Sequence, residues 1–208
     1  MLEIGCGNGN ILRYLGERTK LQLTGGDLFM EGLRFCRSRV DIPVCQIDAT
    51  ALPFRDYFDI IGMFDVLEHI EHDERVLQEC HKALREEGRL ILTVPVCPAL
   101  WGPFDELSHH QRRYTRRNLC DKLMRAGFAI ERAPHFMFFL VPVVYVLRAL
   151  RKRFGGGRVD TADQVPDDLR IVPILNSLSL RLLRLEKRLM RYLDLPYGTS
   201  LLVVARRV

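Results

Sequence analysis

The stretch LEIGCGNG, Leu2 to Gly9, places three glycines at alternate positions after a short apolar run and directly before the helical pattern NILRYLGER. A strand that ends in glycines and turns into a helix brings bare backbone N–H groups to a helix N-terminus, whose partial positive charge favours polar and anionic ligands. Nucleotides held this way use two spacings. The dinucleotide fingerprint G-x-G-x-x-G requires glycine at position 10, which is Asn10. The third glycine is Gly9, so the spacing is G-x-G-x-G, and an acidic residue, Glu3, stands ahead of it.

Working outward, short β-rich runs alternate with helical patterns, the signature of crossover units around a mostly parallel sheet. The strand candidates are Leu2 to Ile4, LQLTGG (21–26), PVCQI (43–47), FDIIGMF (58–64) and RLILTVP (89–95). Between the last two, Val76, Leu77, Cys80, Ala83 and Leu84 fall at helical spacing, and Gly88 reads as the helix stop. Val96 to Thr115 has no period and reads as a long loop, functional or disordered. A basic helix (116–126), a strand (128–133), the apolar run FMFFLVPVVYVL (136–147) and a GGG linker (155–157) follow. The last helix spaces Ile171, Leu175, Leu178, Leu182, Leu185 and Leu189 as an apolar stripe, with Arg181, Arg184, Arg188 and Arg191 on another face; SLLVVARR is a final strand.

Composition agrees with one domain: 208 residues and 48% hydrophobic content suffice for a single core. Within it, residues 1–135 read as a cofactor-binding core, 136–195 as a helical insertion for substrate, membrane or interface, and 196–208 as the last strand. The six cysteines are scattered without a C-x-x-C pair and no signal peptide is evident, so reduced thiols in a cytoplasmic protein are expected. The longest apolar run is shorter than the roughly 20 residues a membrane span needs. Charge is uneven: 18 Lys/Arg stand against 20 Asp/Glu before residue 148, and 13 against 6 from there on. The basic excess lies in the tail.

The LEIGCGNG stretch resembles motif I of the class I S-adenosylmethionine-dependent methyltransferases, and the type 11 and type 23 domain groups among them. The likeness continues through LTGGDLF, IDATALPF and FDIIGMFDVLEHI. It implies a Rossmann-like α/β fold, a mostly parallel seven-stranded sheet with an antiparallel last strand and helices on both faces, plus C-terminal amphipathic helices. It further implies that S-adenosylmethionine is the cofactor and S-adenosylhomocysteine the product. On that likeness Glu3, Gly5, Cys6, Gly7, Asn8 and Gly9 form the cofactor loop and Asp27 takes the ribose hydroxyls. Leu28 and Phe29 flank the adenine, Asp48, Ala49 and Thr50 contact its edge, and Phe64 lies at the end of the fourth strand. Such enzymes carry a helix ahead of motif I, and Met1 stands almost on the motif, so either a truncated start or the loss of part of the lid is expected. A fold of this kind serving as a scaffold without turnover is the alternative.

The loop WGPFDELSHHQRRYTRRNL resembles a D, H-x-R-R-Y pattern in a bacterial subgroup of these enzymes associated with lipid-linked or cell-envelope substrates. The positions carried over are Asp105, His110, Arg112, Arg113 and Tyr114. His110 is the candidate base or acceptor orienter, with His69 and Tyr114 as further catalytic candidates. Trp101, Asp105, Arg112 and Arg113 are candidates for substrate binding. His109 beside His110 has no H-x-x-x-H or third-ligand spacing, so no metal is expected. The chain has FDVL where base-directed amino methyltransferases carry [N/D]-P-P-[Y/F], and residues 170–191 contain no aromatic residue, which disfavours nucleic acid. The expected acceptor is a small or lipid-linked molecule methylated at oxygen. The basic tail helix fits packing on the domain, a homodimer contact, or peripheral contact with the inner membrane surface.

Overall fold

The computed structural model describes residues 1–142, 173–190 and 192–208. Eight strands form one sheet: β1 (Leu2–Ile4), β2 (Thr24–Asp27), β3 (Val44–Gln46), β4 (Phe58–Phe64), β5 (Leu84–Pro95), β6 (Phe128–Arg132), β7 (His135–Phe136) and β8 (Ser200–Arg207). Their order is β3-β2-β1-β4-β5-β8-β6, and β7 pairs with β8. Strands β1 to β5 run parallel to their neighbours, whereas β8 is antiparallel to β5, β6 and β7. The sheet thus has one strand more than the seven expected. The addition is β7, two residues long and carrying no pattern of its own.

The helices are α1 (Asn10–Arg18), α2 (Met30–Arg39), α3 (Asp73–Ala83), α4 (Pro103–Leu107), α5 (Arg116–Arg125) and α6 (Pro173–Leu189). Successive residues of a strand point to opposite faces, so Gly25 lies under Leu12 of α1 while Gly26 lies under Ile47. One face buries Cys6, Leu12, Leu23, Leu33 and Cys36 beneath α1 and α2. The other packs Ile61, Met63, Leu90, Leu92 and Val203 against Val76, Leu77 and Cys80 of α3 and Leu119 and Leu123 of α5. Each such fully buried side chain stabilises the fold by roughly 1.5–3 kcal/mol.

Three expectations change. The helix ahead of β5 stops at Ala83, and Leu84 to Gly88 already belong to the strand. The expected loop at 96–115 is ordered by a 3-10 turn (Pro98–Leu100) and by α4. On α6 the predicted stripe does not simply face inward: Leu185 is 47% exposed, and Glu186 is the buried residue, accepting the backbone N–H groups of Phe138 and Phe139. Ile171, Arg191, the apolar run beyond Pro142 and the GGG segment lie outside the described residues.

Candidate active site

Gly5, Gly7 and Gly9 all adopt left-handed backbone, at φ 73°, 48° and 80°, where a side chain is disfavoured. Sterics separate them. A Cβ on Gly5 would meet Val66 Cγ2 at 2.4 Å and one on Gly9 would meet Cys36 Sγ at 2.6 Å, whereas one on Gly7 meets nothing within 4 Å. Gly5 and Gly9 are therefore needed by the fold, and Gly7 faces open space.

Asp27 closes β2 beside this loop. Its Oδ2 accepts the Gly7 N–H at 2.8 Å and its Oδ1 accepts the Phe29 N–H at 2.9 Å. Leu28 and Phe29, which follow, are 53% and 71% exposed although apolar. At the end of β3, Asp48 Oδ1 accepts both the N–H and the hydroxyl of Thr50 at 2.7 Å; those bonds, the backbone one first, hold its carboxyl below the usual range. Gln46 Nε2 donates to the Leu28 carbonyl and ties the two loops together. Beneath them, Glu3 is 3% exposed and its Oε2 has no hydrogen-bond partner. Burial, and then the Asp27 charge, push its pKa up to about 8. The predicted cofactor positions Glu3, Gly5 to Gly9, Asp27 to Phe29 and Asp48 to Thr50 thus gather at the carboxyl ends of β1, β2 and β3. Phe64 ends the adjacent β4.

The second half of the site joins the loops after β4 and β5. Asp65 turns left-handed at φ 54° and donates its N–H to the Thr93 carbonyl, leading into a 3-10 turn at Leu67–His69. The Gln111 N–H reaches back to the Glu68 carbonyl at 2.8 Å. Asp105, fully buried, organises the other loop: Oδ1 bonds His110 Nδ1 at 2.9 Å and Arg113 Nε at 2.7 Å, and Oδ2 accepts the Gly102 N–H at 2.9 Å. Burial opposes its ionisation, but the Arg113 and His110 bonds prevail and hold its carboxyl below the ordinary value. With Nδ1 committed, His110 presents Nε2. Its ring meets that of His69 edge to face at 4.7 Å. Burial, then the nearness of His110, lowers the His69 pKa.

Other predicted contacts turn inward. The Tyr114 hydroxyl donates to Asp73 Oδ2 at 2.7 Å with the ring 1% exposed, so it faces the core and not the cleft. Arg112 pairs with the same carboxylate at 2.9 Å and donates to the Glu71 carbonyl, and Arg113 is spent on Asp105 and the Val96 carbonyl. Lys122 completes the Asp73 cluster at 2.6 Å. Trp101 is 40% exposed next to this loop. Sequence reasoning passed over Glu68, which is fully buried with both carboxylate oxygens unpartnered and a pKa pushed up to about 8, first by burial. Its signal was present in DVLEH, where a carboxylate adjoins His69. Beyond Thr93 lies a mostly apolar cavity of about 440 Å³ lined by Phe136, Leu183, Met190 and Leu202, with Arg132, Glu186 and Lys187 in its wall, Arg132 being paired with Asp194.

Residues 2–92 match the sequence family described as "Methyltransferase domain". A relative from Idiomarina loihiensis named ubiquinone biosynthesis O-methyltransferase is 27% identical over 100 residues, covering 45% of this chain and 41% of its own length. The chain spans less than half the length of the curated relatives it matches. Among solved structures, an S-adenosylmethionine-dependent methyltransferase from Mesorhizobium loti superposes with a TM-score of 0.63 at 20% identity, covering 99% of this chain and 90% of its own. The Haemonchus contortus phosphoethanolamine N-methyltransferase 2, solved in complex with S-adenosyl-L-methionine, gives 0.63 at 18% identity over 100% of this chain and 48% of its own.

Proposed function

We propose, from the premise that this chain belongs to the class I S-adenosylmethionine-dependent methyltransferase family through residues 2–92, that it methylates a hydroxyl of a small or lipid-linked acceptor. The observation that carries the cofactor half is the geometry of Asp27. Its two oxygens join the Gly7 turn and the Phe29 turn at the end of β2. The residues present fit the group: a left-handed glycine with open space above it, an unpaired buried Glu3 oxygen, and two exposed apolar side chains able to sandwich a planar base.

S-adenosylmethionine, when bound, supplies a methyl group already activated by its sulfonium. The chain's own task is then placement, which alone lowers a barrier by about 7–11 kcal/mol when the bound geometry is right. Gly5 to Gly9 and Asp27 hold the cofactor, and Leu28 and Phe29 cover the adenine while Asp48, Ala49 and Thr50 present hydrogen-bonding groups to its edge. His110 receives or orients the acceptor hydroxyl through Nε2, with its Nδ1–H fixed on Asp105 as an orienting carboxylate fixes a catalytic imidazole. Tyr114, Arg112 and Arg113 brace the loop from behind. The apolar cavity next to Thr93 suits an acceptor with a hydrocarbon portion.

The test is calorimetric titration with S-adenosylmethionine and S-adenosylhomocysteine, with NAD as control. Micromolar binding of both adenosyl ligands and none of NAD is expected. A folded chain that binds neither overturns the reading.

A further inference from the structure

Among the described residues, Glu68 is the least explained group. Its side chain is fully buried and neither carboxylate oxygen has a hydrogen-bond partner, an arrangement that costs free energy unless a proton or a cation compensates it. It is not isolated. A Glu68 oxygen, a His69 ring nitrogen and a His110 ring nitrogen all lie within 4.8 Å of one another.

The His110 imidazole is supported from outside the cluster: it gives Nδ1 to the buried Asp105 carboxylate, while the His69 ring meets the His110 ring edge to face at 4.7 Å. Metal-binding histidines are held this way, one nitrogen on an outer acceptor that fixes the ring and the other on the ion. The Gln111 to Glu68 backbone bond clamps the two loops, so the ligand set needs only side-chain movement to close. For a tetrahedral ion at about 2.1 Å from each donor, the donors stand about 3.4 Å apart, and His69, the exposed member, has room to supply the difference.

We propose that Glu68, His69 and His110 bind a divalent first-row transition cation. Two imidazoles and one carboxylate favour Zn²⁺, Fe²⁺, Mn²⁺ or Co²⁺ over Mg²⁺ and Ca²⁺, which take all-oxygen sets, and three protein ligands leave positions open. Binding stands apart from the methyltransferase reading. The use of the ion rests on that reading: an acceptor hydroxyl entering an open position becomes more acidic and releases its proton to solvent before its oxygen takes the methyl group. His110 then orients the acceptor through the ion. Spacing along the chain does not show the site, because His110 comes from a different loop.

The experiment uses the full chain stripped with chelator and titrated with Co²⁺, read by visible d–d absorption, and with Zn²⁺ by calorimetry, Mg²⁺ serving as control. One ion per chain with micromolar or tighter affinity is expected. Glu68→Gln and His110→Ala should each weaken binding at least tenfold, Asp105→Asn about 10–100-fold as an outer-sphere partner, and His72→Ala not at all. Folding of each variant is checked by circular dichroism, and Glu68→Gln, which removes a buried charge, should fold. A folded wild-type chain with no cobalt signal, or a signal unchanged in Glu68→Gln, overturns the proposal. S-adenosylmethionine binding is measured on the same preparations, so loss of cobalt binding alone sinks the ion, and loss of cofactor binding alone sinks the methyltransferase reading.

Discussion

Asp27 accepts the Gly7 amide across 2.8 Å, joining the end of β2 to the turn that follows β1. One carboxylate therefore shapes the glycine loop and presents itself to whatever the loop holds. Asp27→Ala should lower affinity for S-adenosylmethionine by at least a hundredfold, about 3 kcal/mol for charge-assisted bonds lost. Titration calorimetry reads this directly, and a loss under tenfold removes Asp27 from the ribose.

Gly7 and Gly9 should respond differently to alanine. Gly9→Ala places a Cβ 2.6 Å from Cys36 Sγ in a left-handed position, so stability should fall by about 2–4 kcal/mol from strain and overpacking together. Gly7→Ala carries only the backbone strain, about 1–2 kcal/mol, but projects a methyl into the open cleft, so cofactor binding should suffer more than folding. Urea melts paired with cofactor titration separate the two.

Tyr114→Phe removes one donor from Asp73 and leaves Lys122 and Arg112 in place, so stability should drop by about 1–2 kcal/mol with turnover of the folded enzyme intact. Asp73→Ala should cost about 3–5 kcal/mol, because it strands several buried donors. Lost turnover with unchanged stability in Tyr114→Phe would return that hydroxyl to the reacting groups.

Stability should fall as pH rises from about 4.5 to about 8. Glu3 and Glu68 both have folded-state pKa values near 8 against an ordinary 4.5, so across that window the native state holds more protons than the unfolded chain. With chelator present, Glu68→Gln should flatten the profile and be more stable than the parent at pH 8 by about 1–3 kcal/mol, and equal to it near pH 4. Denaturation midpoints across that range decide it; a parent that gains stability toward pH 8 contradicts the burial of both carboxyls.

The outward face of α6 carries Arg181, Arg184 and Arg188 beside the half-exposed Leu180 and Leu185. A basic surface studded with leucine should co-sediment with anionic vesicles and not with neutral ones, and replacing the three arginines with alanine should abolish the difference. Equal sedimentation with both vesicle types argues against membrane contact.

Much of the architecture was legible because strands of the sheet interior leave a near-continuous apolar run, as in β4, whose limits Phe58–Phe64 match the expected ones, and in the 201–205 run of β8. The junction of α3 and β5 was not, since after Leu84 the strand runs through the polar stretch REEG, which falls at the irregularity between the Phe58–Leu84 and Ile60–Arg89 pairs. The left-handed glycine turn could be read from local spacing. The Asp73 and Asp105 clusters could not, since each gathers partners from distant segments, and Tyr114, Arg112 and Arg113 look like site residues until their partners are seen. Glu68 was missed for the opposite reason: a carboxylate beside His69 is visible in DVLEH, but its burial is not.

Phe136 of β7 pairs with Ser200 of β8, and Gly198 passes so close to the Phe136 backbone that any side chain there would collide with it. The chain thus leaves the sheet and re-enters it at one pinned point, while β8 inserts between β5 and β6 in a register set by its own pairs. Closure entropy rises by only about 0.6 kcal/mol for each doubling of such an excursion. Because Phe136 and Ser200 meet at that point, exchanging the segment between them should alter the acceptor wall formed by Leu183 and Met190 while leaving the glycine loop and its three strands untouched.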